Sequence, residues 1–143
     1  MGGRWVPELP AADGREVEAY YEECRIEGGW LQLVIADLAT DRYIGEIVVV
    51  VGEHRVGELG VGVVRAARGR GTATEALRML ADWAIATLDL GRAQVFVAQE
   101  NVPALRLAES AGFRREGVLR AYWEYDGERV DAIVLSRLPG DEA

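Results

Sequence analysis

The sequence predicts a single mixed α/β domain, residues 1–143, with a central sheet covered on both faces. Half of the 143 residues are hydrophobic and 28% are charged, which is enough to bury one core. Segments of helical and strand periodicity follow one another in the order helix, three strands, helix, strand, helix, two strands. The run IVVVV at 47–51 is too uniformly apolar for a strand with one face in water, so both faces of the sheet should be covered.

The front half contains one predicted helix and three predicted strands. The helix DGREVEAYYEECRI opens at Asp13, with Glu16 three residues later as its capping-box partner. GGWLQLVIADL, RYIGEIVVVVG and HRVGELGVGVV are predicted to be strands. The single cysteine, Cys24, lies on the helix. It excludes an internal disulfide and indicates a cytoplasmic location.

The back half predicts two helices, a buried strand and a hairpin. AQVFVAQ is the buried strand, and the helix that follows it begins with Asn101 as its cap and has Pro103 in its first turn. VLRAYWEY and ERVDAIVLSRL flank an Asp-Gly pair that suits a tight two-residue turn. The helix after Gly71 ends near Gly91. Its apolar stripe comprises Ala76, Leu77, Leu80, Ala81, Ala84, Ile85 and Leu88.

The charge of the chain favours cationic partners. The net charge is −8, and all sixteen basic residues are arginine. An acidic surface repels nucleic-acid phosphates and attracts amines or basic peptides, although the same charge would also serve solubility alone. No segment has the composition of a signal peptide or the length of a membrane span, and no metal site is predicted. We therefore expect neither nucleic acid nor a membrane as a partner.

The stretch RGRGTATEALRMLADWAI, residues 68–85, predicts an anion site at the start of a helix. A helix begins with unpaired backbone N–H groups and a partial positive charge, to which phosphates bind readily. Gly69 and Gly71 remove the side chains that would block the approach, and Arg68 and Arg70 add positive charge. The pattern is neither G-x-x-x-x-G-K-[ST] nor G-x-G-x-x-G. A glycine pair alone would also fit a flexible helix-entry turn.

RGRGTA matches the acetyl-CoA signature R/Q-x-x-G-x-G/A, and on these residues the chain resembles the GNAT superfamily of N-acetyltransferases. RGRGTATEAL, ENVPALRLAESAGFRREG and the closing DGERVDAIVLSRL are similar, in order and spacing, to the branch that acetylates the N-terminal alanine of ribosomal proteins. The likeness runs from about residue 43 to the end. It implies the GNAT fold, with a mixed and mostly antiparallel sheet covered by helices on both faces, and acetyl-CoA as co-substrate.

The resemblance also implies where acetyl-CoA binds. Family members pair its pantetheine with the free backbone of a strand that splays from its neighbour. An asparagine at the position of Asn101 contacts pantetheine too, which is compatible with a role as helix cap. The pyrophosphate lies on backbone amides at the helix start. The residues so placed are Val61, Gly62 and Val63 on the strand, Asn101, and Arg68, Gly69, Arg70, Gly71, Thr72 and Ala73 at the helix start.

For the catalytic base the resemblance implies Glu58, at a position where family members deprotonate the acceptor amine, often through water. Its apolar strand neighbours should raise the pKa of its carboxyl, which suits a base. Glu46, on the preceding strand, is the alternative. His54 is predicted to lie exposed in a hairpin turn.

Two proton donors of the family are absent from this chain. The positions that carry a serine or a tyrosine in family members are Ala104 and Ala108 here. A thiol has a pKa of about 8.5, so the coenzyme can leave as an anion without a donor. Tyr122 and Tyr125, on the closing hairpin, are alternative donors, although aromatic residues on strands mostly serve packing.

The front end of the chain is short for this family. Only about twelve residues precede the helix at Asp13, where the family has a further strand and helix, so both elements are expected to be absent. The strand at 30–36 would then be a sheet edge, and we expect it to pair with a second copy in a homodimer. Alternatively, residues 1–12 fold back over that edge.

Together these features predict an N-acetyltransferase that moves the acetyl group of acetyl-CoA to a primary amine. We expect direct attack in a ternary complex, because Cys24 lies far from the motifs and is not placed to form an acyl-enzyme. The acceptor is a peptide N-terminus, a polyamine or an aminoglycoside. The alternative is a non-catalytic acyl-CoA-binding or regulatory module, which the alanines at 104 and 108 would suit.

Overall fold

The computed structural model describes residues 30–36, 42–63, 69 and 71–141, which form a six-stranded sheet with two helices packed against it. The helix predicted at Asp13, and with it Cys24, lies outside these residues. The strands and helices predicted further along the chain are all present. Their bounds are β1 (Trp30–Ala36), β2 (Tyr43–Val51), a 3-10 turn (Glu53–Arg55), β3 (Val56–Val63), α1 (Thr72–Thr87), β4 (Arg92–Ala98), α2 (Val102–Ser110), β5 (Arg114–Tyr125) and β6 (Glu128–Arg137).

The sheet is mixed and mostly antiparallel, as predicted. The strand order is β1-β2-β3-β4-β6-β5, and every neighbouring pair is antiparallel except β3 with β4. Helix α1 makes the crossover between these two strands, as a parallel pair requires. Among the described strands, β1 and β5 form the two edges.

One face of the sheet packs against both helices and forms the core. Burial alternates along β2, with Ile47 and Val49 buried on this helical face. On the other face of β2, Val48 is half-buried and Val50 is 43% exposed, so this face is covered less completely. The helix residues buried in the core are Ala73, Leu77, Leu80, Ala81 and Ala84 on α1 and Leu105 and Ala108 on α2.

Helix α1 follows the predicted stripe but ends earlier than predicted. It stops at Thr87 rather than near Gly91, because Asp89 takes a left-handed backbone conformation with φ +52°. Ala76 and Ile85, at the margins of the stripe, are only half-buried. The remaining stripe residues are buried and anchor the helix on the sheet.

The closing hairpin contains one feature that was not predicted. Asp126 and Gly127 make the expected tight turn, with φ of +49° and +80°. Upstream, the pairing of β5 with β6 shifts between Leu119 and Trp123, so this strand carries a bulge. At the bulge, Ala121 has φ +55°, and its N–H donates to Asp131 Oδ1 at 2.7 Å. The aspartate after the turn therefore holds the bulge in place.

In the described part of the chain, neither helix combines the length and apolar character that crossing a bilayer requires.

Candidate functional site

The strands β3 and β4 pair over only three residues and then separate. The last pair is Glu58 with Gln94, whereas β3 stays paired with β2 until Val63 meets Gly45. From Leu59 onward, the backbone groups of β3 that face β4 therefore have no strand partner in β4. This gap is the splayed strand pair that the resemblance implied.

A groove of about 630 Å³ lies beside this gap. Three elements form it: the end of β3, the start of α1 and one side of α2. It is lined by Val61, Gly62, Gly69, Gly71, Thr72, Ala73, Thr74, Asn101, Pro103, Ala104, Arg106, Leu107 and Ser110. The groove thus brings together most of the residues predicted to bind the coenzyme. Of the others, Val63 ends β3, while Arg68 and Arg70 lie outside the described residues.

The start of α1 presents free amides to the groove. Gly69 and Gly71 have φ of +79° and +76°, which favours glycine, and a Cβ atom at either would meet no other atom within 4 Å. The first intrahelical bond runs from Glu75 N to Gly71 O at 3.0 Å. The N–H groups of Thr72, Ala73 and Thr74 therefore have no acceptor within the helix, and the N-cap residue Gly71 has no side chain to cap them. This arrangement suits a bound phosphate.

Asn101 caps α2 and lines the groove at the same time. Its Oδ1 accepts a hydrogen bond from Ala104 N at 3.2 Å. The side-chain amide group of Asn101 keeps its two N–H donors for a ligand. The two roles predicted for Asn101 are thus compatible.

Sequence reasoning missed the contribution of the rest of α2 to the groove. Pro103, Arg106, Leu107 and Ser110 line it beside Asn101. They recur at three- and four-residue intervals, so they share one side of the helix. That spacing could have identified them once one residue of this side was assigned.

The two alanines that replace family proton donors lie in different surroundings. Ala104 lines the groove, whereas Ala108 is 2% exposed and belongs to the hydrophobic core. Neither side chain can transfer a proton. Any donor to the leaving group must come from elsewhere.

Glu58 lies outside the groove, at the closed end of the gap. A Cβ atom on the preceding residue, Gly57, would lie 2.6 Å from Leu90 Cδ1 on the helical face. Because side chains alternate along a strand, Glu58 points to the opposite face, beside Val50 on β2 and Gln94 on β4. The Glu58 residue is exposed, but the partial burial of its carboxyl raises the pKa of this group, as predicted.

A hydrogen-bonded chain fixes Gln94 next to Glu58. Arg92 Nε donates to Gln94 Oε1 at 2.8 Å, and the same guanidinium contacts Glu116 at 2.5 Å. Hydrogen bonds from Arg92 and then Ser136 lower the pKa of the Glu116 carboxyl. Since its oxygen is engaged by Arg92, Gln94 has its N–H donors left for the neighbouring carboxylate or for a substrate.

The alternative base, Glu46, already has partners. It lies opposite Gly62, four residues along the strands from the pair of Val50 with Glu58. Its Oε2 accepts from Gln32 Nε2 at 2.6 Å, and it is also hydrogen-bonded to Tyr43. These contacts favour Glu58 as the group that exchanges a proton.

The three other candidates named from the sequence are His54, Tyr122 and Tyr125. His54 is exposed in the 3-10 turn, beside Glu53, and far along β3 from the groove. The bulge in β5 places the ring of Tyr122 on Phe96 of β4, with ring centroids 5.4 Å apart and planes inclined by 11°. Tyr125 contacts Trp123 and is 47% exposed.

Comparison with known proteins places this geometry in a family. Residues 3–114 match the acetyltransferase (GNAT) domain. An uncharacterised N-acetyltransferase, p20, of Bacillus licheniformis is 29% identical over 140 residues, which are 96% of this chain and 79% of that protein. The ribosomal-protein branch and the absence of a first strand stay predictions.

Solved structures agree with the fold. Spermidine N-acetyltransferase from Vibrio cholerae in complex with CoA and spermine has a TM-score of 0.74 at 25% identity, over 94% of this chain and 80% of that one. A dodecameric structure of spermidine N-acetyltransferase from the same organism has a TM-score of 0.71 at 25% identity, over 87% and 73% of the chains.

We expect Gly71→Val to abolish most of the affinity for CoA. The valine side chain would occupy the open space in front of the free amides, and each lost hydrogen bond to a phosphate costs roughly tenfold or more in affinity. Isothermal calorimetry with CoA measures the effect.

The matched control is Gly140→Val, which lies outside the groove but also has a positive φ, of +89°, with no atom within 4 Å of a Cβ. It imposes similar backbone strain and should bind CoA as the parent does. Equal CoA affinity in the parent and Gly71→Val would show that phosphates do not bind at this helix start.

Proposed function

This chain belongs to the GNAT acetyltransferase family and uses acetyl-CoA as co-substrate, and we propose that it acetylates a primary amine of a polyamine. The observation that carries the proposal is the gap between β3 and β4, with the groove at one side and Glu58 at its closed end. The solved relative was crystallised with CoA and spermine, a polyamine. A chain with a net charge of −8 attracts such a polycation.

The coenzyme is proposed to lie along the groove. Its pyrophosphate would accept hydrogen bonds from the backbone amides of residues 68–73, as the resemblance implies. Pantetheine would pair with the unpartnered backbone of Val61, Gly62 and Val63 and with the amide of Asn101. What supports this placement is that the open side of β3 and the free amides of α1 line the same groove.

The chemical step is proposed to be direct attack in a ternary complex. The amine nitrogen forms a bond to the acetyl carbon, the bond from that carbon to sulfur breaks, and the amine proton passes to Glu58, directly or through one water. The raised pKa of the Glu58 carboxyl brings it closer to that of its proton donor. The coenzyme leaves as a thiolate, which needs no donor at Ala104 or Ala108. Tyr122 is the candidate if a donor is used.

The proposed acceptor can be tested by intact-mass analysis. We expect acetyl-CoA and spermidine to give acetylspermidine with a higher kcat/KM than an alanine-terminated basic peptide or an aminoglycoside. Spermine should also be acetylated. A preference for the peptide would instead support the ribosomal-protein branch. Coenzyme binding without any acetylated product would identify a binding module rather than an enzyme with this acceptor.

We expect Glu58→Gln to lower turnover about a hundredfold at neutral pH while leaving CoA affinity intact. The parent should lose turnover as the pH falls through the raised pKa of Glu58, because a protonated carboxyl cannot accept a proton. The variant should lack this part of the pH profile and keep the part that belongs to the amine. Steady-state kinetics across pH measures both effects.

Glu46→Gln is the matched control and should have a much smaller effect on kcat. Folding provides a second check. Because the folded state raises the pKa of Glu58, ionisation of this group opposes folding as the pH rises through that value. Glu58→Gln should therefore unfold at neutral pH no more easily than the parent. A larger loss of turnover in Glu46→Gln would assign the base to Glu46.

A homodimer joined along β1 is the proposed assembly. Among the described strands β1 pairs only with β2, its sequence WLQLVIA has no charged residue, and Val34 is 48% exposed. The related spermidine acetyltransferase forms a dodecamer. We expect sedimentation at micromolar concentration to give a species of twice the 15.7 kDa chain mass or a multiple of it. A strictly monomeric species would contradict the proposal.

The cytoplasmic location stays a prediction.

A further inference from the structure

The bulge in β5 turns two consecutive aromatic side chains toward each other. Neighbouring residues of a regular strand point to opposite faces of the sheet, so Tyr122 and Trp123 should lie on different sides. Their rings instead meet edge to face, with centroids 5.3 Å apart and planes inclined by 70°. Tyr122 also stacks on Phe96 of β4. The bulge therefore changes the direction of the Tyr122 side chain, which is what bulges beside active sites do.

Two side chains of β6 hold the bulge at Ala121. The Ala121 N–H donates to Asp131 Oδ1 at 2.7 Å, and the Ala121 carbonyl accepts from Arg129 Nε and Nη2 at 3.1 and 2.7 Å. Asp131 is itself fixed to the end of β4, because its carbonyl accepts from Gln99 N at 3.1 Å. The left-handed backbone of Ala121, with φ +55°, is unfavourable for alanine. Such a conformation persists only where the surrounding structure enforces it, and here these hydrogen bonds do so.

Phe96, on which Tyr122 stacks, flanks the gap between β3 and β4. It lies two residues beyond Gln94, the last residue of β4 that pairs with β3, and therefore on the same side of the sheet as Gln94. The corresponding residue of β3, two positions beyond Glu58, is Gly60, which has no side chain to fill the space. The pair of stacked rings thus adjoins Glu58 on its own side of the sheet.

An aromatic surface at this place suits an aliphatic amine. The face of an aromatic ring carries partial negative charge and attracts an ammonium group, and its apolar area packs against methylene chains. The ring of Tyr122 is accessible, since the residue is 46% exposed. A polyamine alternates ammonium groups with methylene chains and therefore matches this surface.

We propose that Phe96 and Tyr122 form an aromatic wall on which the amine acceptor lies, and that Asp131 is a positioning residue for this wall. Asp131 does not contact the acceptor in this arrangement. Its effect on the reaction passes through the backbone of Ala121 to the ring of Tyr122. The inference rests on the proposed function, the acetylation of an amine beside Glu58.

The test is steady-state kinetics with the amine that the parent acetylates best, which we expect to be spermidine. Asp131→Ala should raise the KM for the amine about fivefold or more, because the contact between ammonium and ring is lost. Its kcat should change less, and its CoA affinity should equal that of the parent. Asp131→Asn should restore most of the parent KM, because its side-chain oxygen can still accept from the Ala121 N–H. An equal rise in KM in both variants would show that only the negative charge of Asp131 matters and would overturn the positioning role.

Two further changes test the path through the bulge. Ala121→Gly, added to Asp131→Ala, should lower the raised KM, since glycine takes a positive φ without the hydrogen bond. Tyr122→Ala should raise the KM as Asp131→Ala does, and the two changes together should raise it no further. Tyr122→Phe keeps the ring and should keep the parent KM. A raised KM in Tyr122→Phe would assign the contact to the hydroxyl and overturn the role of the ring.

The matched control is Asp141→Ala, which should leave the KM unchanged. Asp141 Oδ2 accepts from the backbone N–H of Leu138 at 2.9 Å, so this variant also removes a carboxylate and its bond to a backbone amide, but beyond the end of β6. A rise in KM equal to that of Asp131→Ala would contradict the inference, as would the parent KM in both Asp131→Ala and Tyr122→Ala.

Failure of the proposed function is distinguishable from failure of this inference. A parent that acetylates a basic peptide rather than spermidine would correct the proposed acceptor, and the same comparison of variants on the peptide would still decide the role of Asp131. A parent that acetylates no amine would overturn both.

Discussion

The separation of β3 from β4 after three residue pairs determines the rest of the site. Each strand remains a strand beyond that point, because β3 is held by β2 and β4 by β6 as far as the pair of Ala98 with Ala132. Peptide groups on the two inner edges nevertheless need hydrogen-bond partners. A sheet that opens in this way creates a place for a ligand with amide groups, and it sets the position of Glu58 at the last closed pair.

A comparison of the two helices shows how much stability the anion site takes from α1. Helix α2 is capped by Asn101, whose side chain satisfies an N-terminal amide. Helix α1 begins instead at Gly71, which has no side chain to cap with and leaves its first amides to the groove. A capping side chain typically stabilises a helix by about 1 kcal/mol. The core residues of α1 offset that loss, since Leu77, Leu80 and Ala84 are almost wholly buried. A ligand can therefore bind at the uncapped start of α1, because the packing of the core residues keeps the rest of the helix in place.

The sequence predicts local features of the site better than those that depend on contacts between distant residues. The helix that begins after Gly71, the cap at Asn101 and the strand that carries Glu58 follow from neighbouring residues, and all three were predicted. The bulge in β5 was not, because it is stabilised by Asp131, ten residues away on β6. The ion pair between Arg115 on β5 and Glu109 on α2 was not predicted either, since it joins two separate elements. Such contacts between elements have no periodic signal in the chain.

In the proposed complex the sheet keeps apart two ligands of opposite charge. The coenzyme phosphates would lie on the helical side, near Arg106 and the start of α1, and the polyamine on the side of Glu58 and Glu46. An ammonium group drawn to the phosphates instead would block the groove without reacting. The gap between β3 and β4, which begins after the pair of Glu58 with Gln94, is where the amine and the thioester can meet. The negative net charge that would attract the acceptor is then compatible with a bound polyanionic coenzyme, because the described residues that line the groove carry no negative charge.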